Sequence, residues 1–378
     1  MNLRVIKRID EIGTVVGGAT PSTKTEHYWG GAIPWLSPKD LTGYRKRYIS
    51  RGNRSITGDG LNSCSAQLLP KGAVLFTSRA PIGYVAIANQ PLCTNQGFKS
   101  VIPNSNVDSL FLYYLLRDKR DHIESLGAGT TFKEVSAATM RSVELEIPTS
   151  LEEQRKIAAV LDSLDSKIEL NNQINDYLAE LSYALYKSFS NHVQKSGRVG
   201  NVSELVEIKY GKDHKKLGDG DVPVYGSGGL MRRASSSLFE GESVLIPRKG
   251  TLNNVMYVNE EFWTVDTMFY TIPKIRGAAK YVYEFLSGLD LASMNSGSAV
   301  PSMTTKILEA LQVPMPSLEE LKEFDNRLEP QFAFQRAIVR ESQMLADLRD
   351  ALLSKLISGE IDVSRVDLTQ LNNHLFDY

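Results

Sequence analysis

The sequence predicts an α+β fold: two mixed α/β globules in an approximate two-fold repeat, joined by two long antiparallel helices that pair in coiled-coil fashion. Three observations predict it. Residues 151–189 run for 39 positions without Pro or Gly. A second helical stretch opens with nearly the same residues, PSLEEL at 316–321 against PTSLEEQ at 148–154. The short β runs upstream of one stretch also match those upstream of the other.

The elements follow in chain order. Residues 1–150 form the first globule, where GAVLFTS and GYVAIA read as strands divided by Gly, Pro and Asn turns, and Ser109 to Leu126 as helix. Much of the rest, including Gly17 to Lys24 and Trp35 to Arg54, reads as loop, where recognition residues commonly sit. The central helix, 151–189, opens with Ser150 placed to cap and Glu153 three residues on. Its apolar seam is Leu161, Leu164, Ile168, Ile174, Leu178, Leu181 and Leu185, with Asn171 as a polar register device. At 1.5 Å per residue it spans roughly 58 Å, too long to lie under one small domain.

The second globule, 190–316, carries the runs ESVLIP, NVMYVN and MFYTIP and a helix at Tyr281 to Ser287. The second long helix, 317–358, has the stripe Leu321, Phe324, Leu328, Phe332, Ile338, Leu345, Leu348, Leu352 and Leu356 and is closed by Gly359. Pro330 is expected to kink or split it. Residues 359–378 form a tail. Residue by residue, Gly72 to Arg79 corresponds to Gly241 to Arg248, Thr94 to Phe98 to Val265 to Phe269, and Gly127 to Pro148 to Ser296 to Pro316. The chain is one unit of about 168 residues written twice. Antiparallel pairing of the long helices would set the globules at opposite ends of a rod, an arrangement suited to a roughly two-fold target such as duplex DNA.

Of the 378 residues, 42% are hydrophobic and 23% charged, an ordinary globular composition. No apolar run is long enough for a membrane span, and charges fall within the first turns where a signal peptide needs apolar residues. A cytoplasmic protein is expected. Cys64 and Cys93 are too few for a disulfide framework, and with five histidines they make no metal-site spacing. The net charge of −1 is unevenly spread: +6 over 1–150, −3 over 151–189, +1 over 190–316 and −5 over 317–378. Near-neutral or basic globules and acidic helices suggest different partners for each.

The motifs GGATPSTKTEHYW and IPWLSPKDL within 17–41, LFTSRAPIG at 75–83, VPVYGSGG at 222–229 and SGSAVPSMTT at 296–305 stand in order with the two helical segments. In these pieces the chain resembles the specificity subunits of type I restriction-modification systems over nearly its whole length. The resemblance implies two target-recognition domains, each reading half of a bipartite double-stranded DNA target, with the helices setting the gap and holding two methyltransferase subunits. It also implies that S-adenosylmethionine is bound by those partners, and ATP and Mg by restriction subunits of the full complex. One departure is the second domain, 127 residues against 150 and close to neutral.

The residues point the same way. There is no GxxxxGK[ST], no GxGxxG after a strand and no Asn-Pro-Pro-aromatic tetrapeptide, so a non-catalytic subunit is expected. A helical scaffold whose globules bind protein or carbohydrate is the alternative. For DNA contact, Arg79 and Arg248 occupy matched turns after apolar runs; a surface salt bridge is the plainer reading of either. Asn95 and Gln96 face Asp266 and Thr267 across the repeat, where amides suit adenine and a carboxylate suits cytosine; turn formation is the alternative. Arg45, Lys46 and Arg47, extended to Arg51 and Arg54, suit phosphates, as does a solvated basic loop. Lys39, Thr130 and Lys133 in the first domain, with Arg232, Arg233, Lys249 and Ser302 in the second, complete the candidate set. Trp35 reads as core.

Overall fold

A computed structural model describes residues 3–79, 81–129, 133–294 and 302–367. It divides into two compact units, one built from the chain up to Asn172 together with the chain from Arg340 onward, the other from Gln173–Val339. In the first unit five strands make a sheet in the order Gly13–Gly17, Lys99–Pro103, Val74–Ser78, Ile82–Ala88, Tyr48–Ile49, antiparallel except for the last pair. Arg4–Arg8 pairs separately with Glu144–Pro148, and Trp29–Leu36 lies between Arg54–Ile56 and Cys93–Thr94. Part of the stretch expected as loop from Trp35 to Arg54 is therefore strand.

The second unit repeats this plan. Its sheet runs Val206–Tyr210, Met268–Pro273, Phe239–Pro247, Met256–Thr264, Val222–Gly226, again with a parallel last pair in that series, and Gly229–Ala234 adds an edge. Val199–Asn201 pairs with Gln312–Pro314 as Arg4–Arg8 does with Glu144–Pro148. Helix Ala278–Ser287 stands where Ser109–Asp118 stands in the first unit. The helix expected from Ser109 to Leu126 is interrupted at Lys119, and resumes over Arg120–Ser125. One close approach is shared by both units. A Cβ on Gly18 would lie 2.1 Å from the Asn95 carbonyl oxygen, and one on Gly211 would lie 2.0 Å from that of Val265. Only glycine lets the chain leave its first strand so near the later turn.

The long helices cover Leu151–Lys195 and Leu318–Ser358. Each starts on a capping serine: Ser150 Oγ accepts from Glu153 N and Ser317 Oγ from Glu320 N, both at 3.3 Å. Glu320 also accepts from Ser317 N (2.7 Å), and these bonds with the Arg198 guanidinium lower its pKa to about 2. Gly359 ends the second helix at φ +79°, as expected from its position. Pro330 does not split the helix. It is exposed and the helix continues through it.

Two expected seam residues face out: Leu181 and Leu348 are each 48% exposed. Their neighbours Ser182 and Arg349 take the inner positions, because polar bonds as well as apolar contacts close the seam. In the first unit, Leu161 packs with Leu352, Leu353 and Leu356 in the main core, while Leu164, Ile168 and Leu345 are half-buried. Asn171, 1% exposed, donates to Glu341 Oε2 (2.8 Å) and Ser342 Oγ (3.2 Å), contacts that hold one alignment of the helices. Arg349 reaches Asp165 at 2.6 Å. In the second unit Phe189 stacks on Phe324, centroids 4.5 Å apart, beside Leu321, Leu328 and Phe332. Ile338 is buried, and Ile174, Leu178 and Leu185 are half-buried. Ser182 Oγ donates to Gln331 at 3.0 Å.

Buried ion clusters fasten each globule to its helices. Lys280, 1% exposed, places its ammonium 2.6 Å from Glu242, 2.6 Å from Asp325 and 2.7 Å from Glu329. Burial opposes its charge, but the three carboxylates outweigh burial and raise its pKa above the ordinary lysine value. Glu329, whose burial is outweighed by Lys280 and Arg336, is held below 4.5. Its stabilisation is present above the ordinary carboxylate pKa and lost as pH falls through the lowered one. Lys280→Met removes the buried central cation and leaves only Arg336 on Glu329 and Arg276 on Asp325, so urea denaturation at neutral pH should show a loss of about 3 kcal/mol. The loss should narrow on acidification below 4.5, as the carboxylates that lost Lys280 take up protons; a pH-independent difference would mean that packing, not charge, fastens the helix.

Candidate nucleic-acid interface

In the first unit, strand Val74–Ser78 is buried along its length and ends at Arg79, 37% exposed in its side chain. Beside it the Asn95–Gly97 turn is tied down: Asn95 Oδ1 accepts from Gly97 N (2.9 Å), Asn95 N donates to Leu36 O (2.8 Å), and Ser78 N donates to Gly97 O (2.7 Å). The chain from Gly127 onward joins them, since Val135 N donates to Ser78 O and Ala128 pairs with Glu134. Glu134 then receives Arg79 (3.5 Å) and Lys99 (3.3 Å). Exposed Gln96 accepts from Thr20 Oγ1, and Lys133 is exposed next to Glu134. The Pro38 ring packs so tightly on Gly97 that a Cβ there would lie 2.7 Å from it, which brings exposed Lys39 to the same surface. Arg79, Asn95, Gln96, Lys133 and Lys39 thus gather at one end of the sheet.

The second unit assembles its matched set in the same way. Strand Phe239–Pro247 ends at Arg248, whose N–H donates to Thr267 O at 2.8 Å, as does that of Lys249 at 3.2 Å. Lys249 pairs with Ser302, and Met303 N donates to Arg248 O (2.9 Å). The Arg248 guanidinium lies over the ring of exposed Tyr210, 5.5 Å from its centroid, and 3.4 Å from the Asp266 carbonyl oxygen. The Asp266 carboxylate is exposed. Both units therefore present an arginine, a turn of polar residues and a segment closing over them, on the same strands of the same sheet. The side chains differ. That combination supplies groups for phosphates and distinct donors and acceptors for bases.

Other expected contacts lie elsewhere. Arg47 is a correction: it is 7% exposed and bound to Asp162 (3.0 Å), Glu169 (3.7 Å), the Asp162 carbonyl oxygen and Ser166, all on the central helix. It serves the fold. Burial pushes against its charge and against that of Asp162, whose pKa rises, but the surrounding carboxylates raise the Arg47 pKa. Arg45 and Lys46 remain exposed, at a cleft of about 470 Å³ that Arg117, Arg120, Asp165 and Arg349 also line. Arg232 is a strut, donating to the carbonyl oxygens of His214 (2.7 Å) and Leu217 (3.0 Å). Arg233 is exposed and donates to Asp221 O (2.6 Å). Thr130 lies outside the described residues.

A sequence reading misses Lys99, and it finds Arg54 as one of a basic run without finding the aromatic seat that holds it. Lys99, one residue after the matched Phe98, braces Glu134. Arg54 lies 3.3 Å above the Trp29 ring, which meets buried Trp35 edge-on, so its guanidinium is held outward on an aromatic base. A cation held in this way is pre-ordered for an anion or a base. The sequence signal was a Trp and an Arg 25 positions apart, which only strand pairing brings together.

Comparison with known proteins gives the family. A profile described as "Type I restriction modification DNA specificity domain" matches residues 4–180 and again 195–341. The type I restriction enzyme MjaIX specificity subunit of Methanocaldococcus jannaschii is 31% identical over 96% of this chain and 94% of its own length. The type I restriction enzyme EcoprrI specificity subunit of Escherichia coli is 23% identical over 82% of this chain and 83% of its own. The crystal structure of a type I restriction-modification S subunit from M. genitalium shares the fold at a TM-score of 0.55 and 19% identity, covering 94% of this chain and 96% of that one. Two copies of the domain profile coincide with the two copies of the sheet, and the chain belongs to the specificity subunits of type I restriction-modification systems.

Proposed function

We propose that this chain selects the DNA on which a type I restriction-modification complex acts, each recognition domain reading one half of a bipartite duplex target. The observation that carries the reading is the repeated tip: Arg79 with Asn95 and Gln96, and Arg248 with Asp266 and Thr267, on corresponding strands but with different base-reading chemistry. The paired helices set the unspecified gap. Two methyltransferase subunits bind along them, bringing S-adenosylmethionine, and restriction subunits bring ATP and Mg; this chain catalyses nothing itself and works in the cytoplasm. Exposed apolar residues on the helices support a docking role: Leu170, Met344 and Leu348 in the first unit, Tyr177, Leu181, Phe334 and Val339 in the second. Among the described residues no helix is long and apolar enough to cross a membrane.

Affinity of the complex for its target should fall steeply with salt, by a log–log slope of about −0.9 for each phosphate neutralised. A flat response measured by titration would point instead to an apolar protein interface. Arg79→Ala should abolish methylation of the bipartite target while leaving assembly with the methyltransferase subunits intact; loss of assembly would mark Arg79 as structural. Adding one helical turn, about 5.4 Å, to each long helix should lengthen the recognised gap by roughly one to two base pairs without changing either half-site. Mapping methylated adenines reads this directly, and an unchanged gap would mean that the helices are not the ruler.

A further inference from the structure

In both units the main globule helix and the two long helices leave a groove, and the two grooves differ in how their charges are met. In the first unit the groove holds Asp165, which receives Tyr114 Oη (2.8 Å), Arg117 (3.4 Å) and Arg349 (2.6 Å). The buried carboxylate there has its partners within the chain. In the second unit the corresponding groove is a cavity of about 320 Å³ lined by Tyr183, Tyr283, Glu284, Ser287 and Gln335, among others. Glu284 is 2% exposed and its carboxyl makes no hydrogen bond or ion pair among the described residues. Burial alone pushes its pKa up to about 8.

A buried, unpartnered carboxyl costs folding energy that nothing in the chain returns. The cations nearby are committed elsewhere. Lys280, one turn earlier on the same helix, is held by Glu242, Asp325 and Glu329, and the Lys187 ammonium lies 5.1 Å from the centroid of the Tyr183 ring. We propose that this cavity binds an alkylammonium group, with Glu284 as its counter-ion and Tyr183 and Tyr283 as aromatic walls. Such walls attract a cation through their ring faces. Gln335 donates its amide nitrogen to the Asn175 carbonyl oxygen (3.4 Å), and its amide oxygen is the acceptor that remains for a second ammonium proton. A single carboxylate does not make a divalent-metal site, which needs several oxygen ligands. The group comes either from a free amine or from a lysine side chain of a partner subunit.

The test uses the full chain at about pH 8.5, above the pKa of the carboxyl so that binding need not displace its proton, with n-butylammonium chloride as the probe. The wild-type protein should show a saturable rise in thermal midpoint that sodium chloride and n-butanol do not reproduce. Glu284→Gln, of the same shape, should lose that rise while its own midpoint stays equal or higher. An equal response from wild type and E284Q, or none from either, overturns the proposal. Assembly with the methyltransferase subunits separates the sources: E284Q weakening assembly at least tenfold assigns the ammonium to a partner lysine, and unchanged assembly assigns it to a free amine. None of these measurements involves DNA, so the proposal stands or falls separately from the recognition role.

Discussion

The buried ionic contacts between globule and long helix are the constraint on which the rest of this structure depends. An apolar seam alone tolerates slippage, because one leucine replaces another a turn away at little cost. A buried charge does not, since moving its partner by a turn strands it in a medium that cannot solvate it. Lys280 among its three carboxylates, Arg47 on Asp162 and Glu169, and Asp165 under Arg117 and Arg349 each specify one position of globule against long helix. Asn171 and Ser182 do the same for helix against helix. The position of each loop tip is therefore inherited from polar contacts between its globule and the long helices.

On this scaffold the two copies diverge where divergence is cheap. The strand order, the glycine at the exit of the first strand and the arginine at the end of the central strand repeat. The residues flanking that arginine do not. Both side-chain oxygens are engaged, that of Asn95 by Gly97 N and that of Gln96 by Thr20 Oγ1, but Asn95 is half-buried in the turn and Gln96 is exposed, so Gln96 is the more available reader of the pair. Exposed Asp266 is a different kind of reader, an acceptor only. A fold built this way can change what it reads without changing how it stands.

Much of this was legible in the sequence because its causes are local. Absence of Gly and Pro marked the first long helix, an apolar stripe marked the second in spite of Pro330, apolar runs marked the strands, and matched openings exposed the duplication. What was not legible depends on residues far apart in the chain. Arg47 sits in a run of three basic residues that reads as a phosphate patch, and its burial is decided by carboxylates more than a hundred positions later. Leu181 and Leu348 fit the heptad spacing as well as their neighbours do, but polar contacts to the opposite helix decide which residue turns inward. Pro330 breaks a helix only where the lost bond and the ring clash are uncompensated; here packing of Leu328 and Phe332 on either side carries the helix through. Glu284 resembles any helical glutamate until the surrounding surfaces close over it.

The first unit is assembled from chain segments separated by the whole of the second. Leu353, Leu356, Ile357 and Val363 complete the core around Ile157, Ala158 and Leu161, and Arg4 binds the carbonyl oxygen of Ile357. On the ribosome, the first unit must wait with part of its apolar surface uncovered until residues 353–363 emerge, although the second unit is by then fully synthesised. Order of maturation runs opposite to order of translation, which makes the nascent chain a natural client for chaperones and makes truncation near residue 350 damaging to the end of the protein farthest from the cut in sequence.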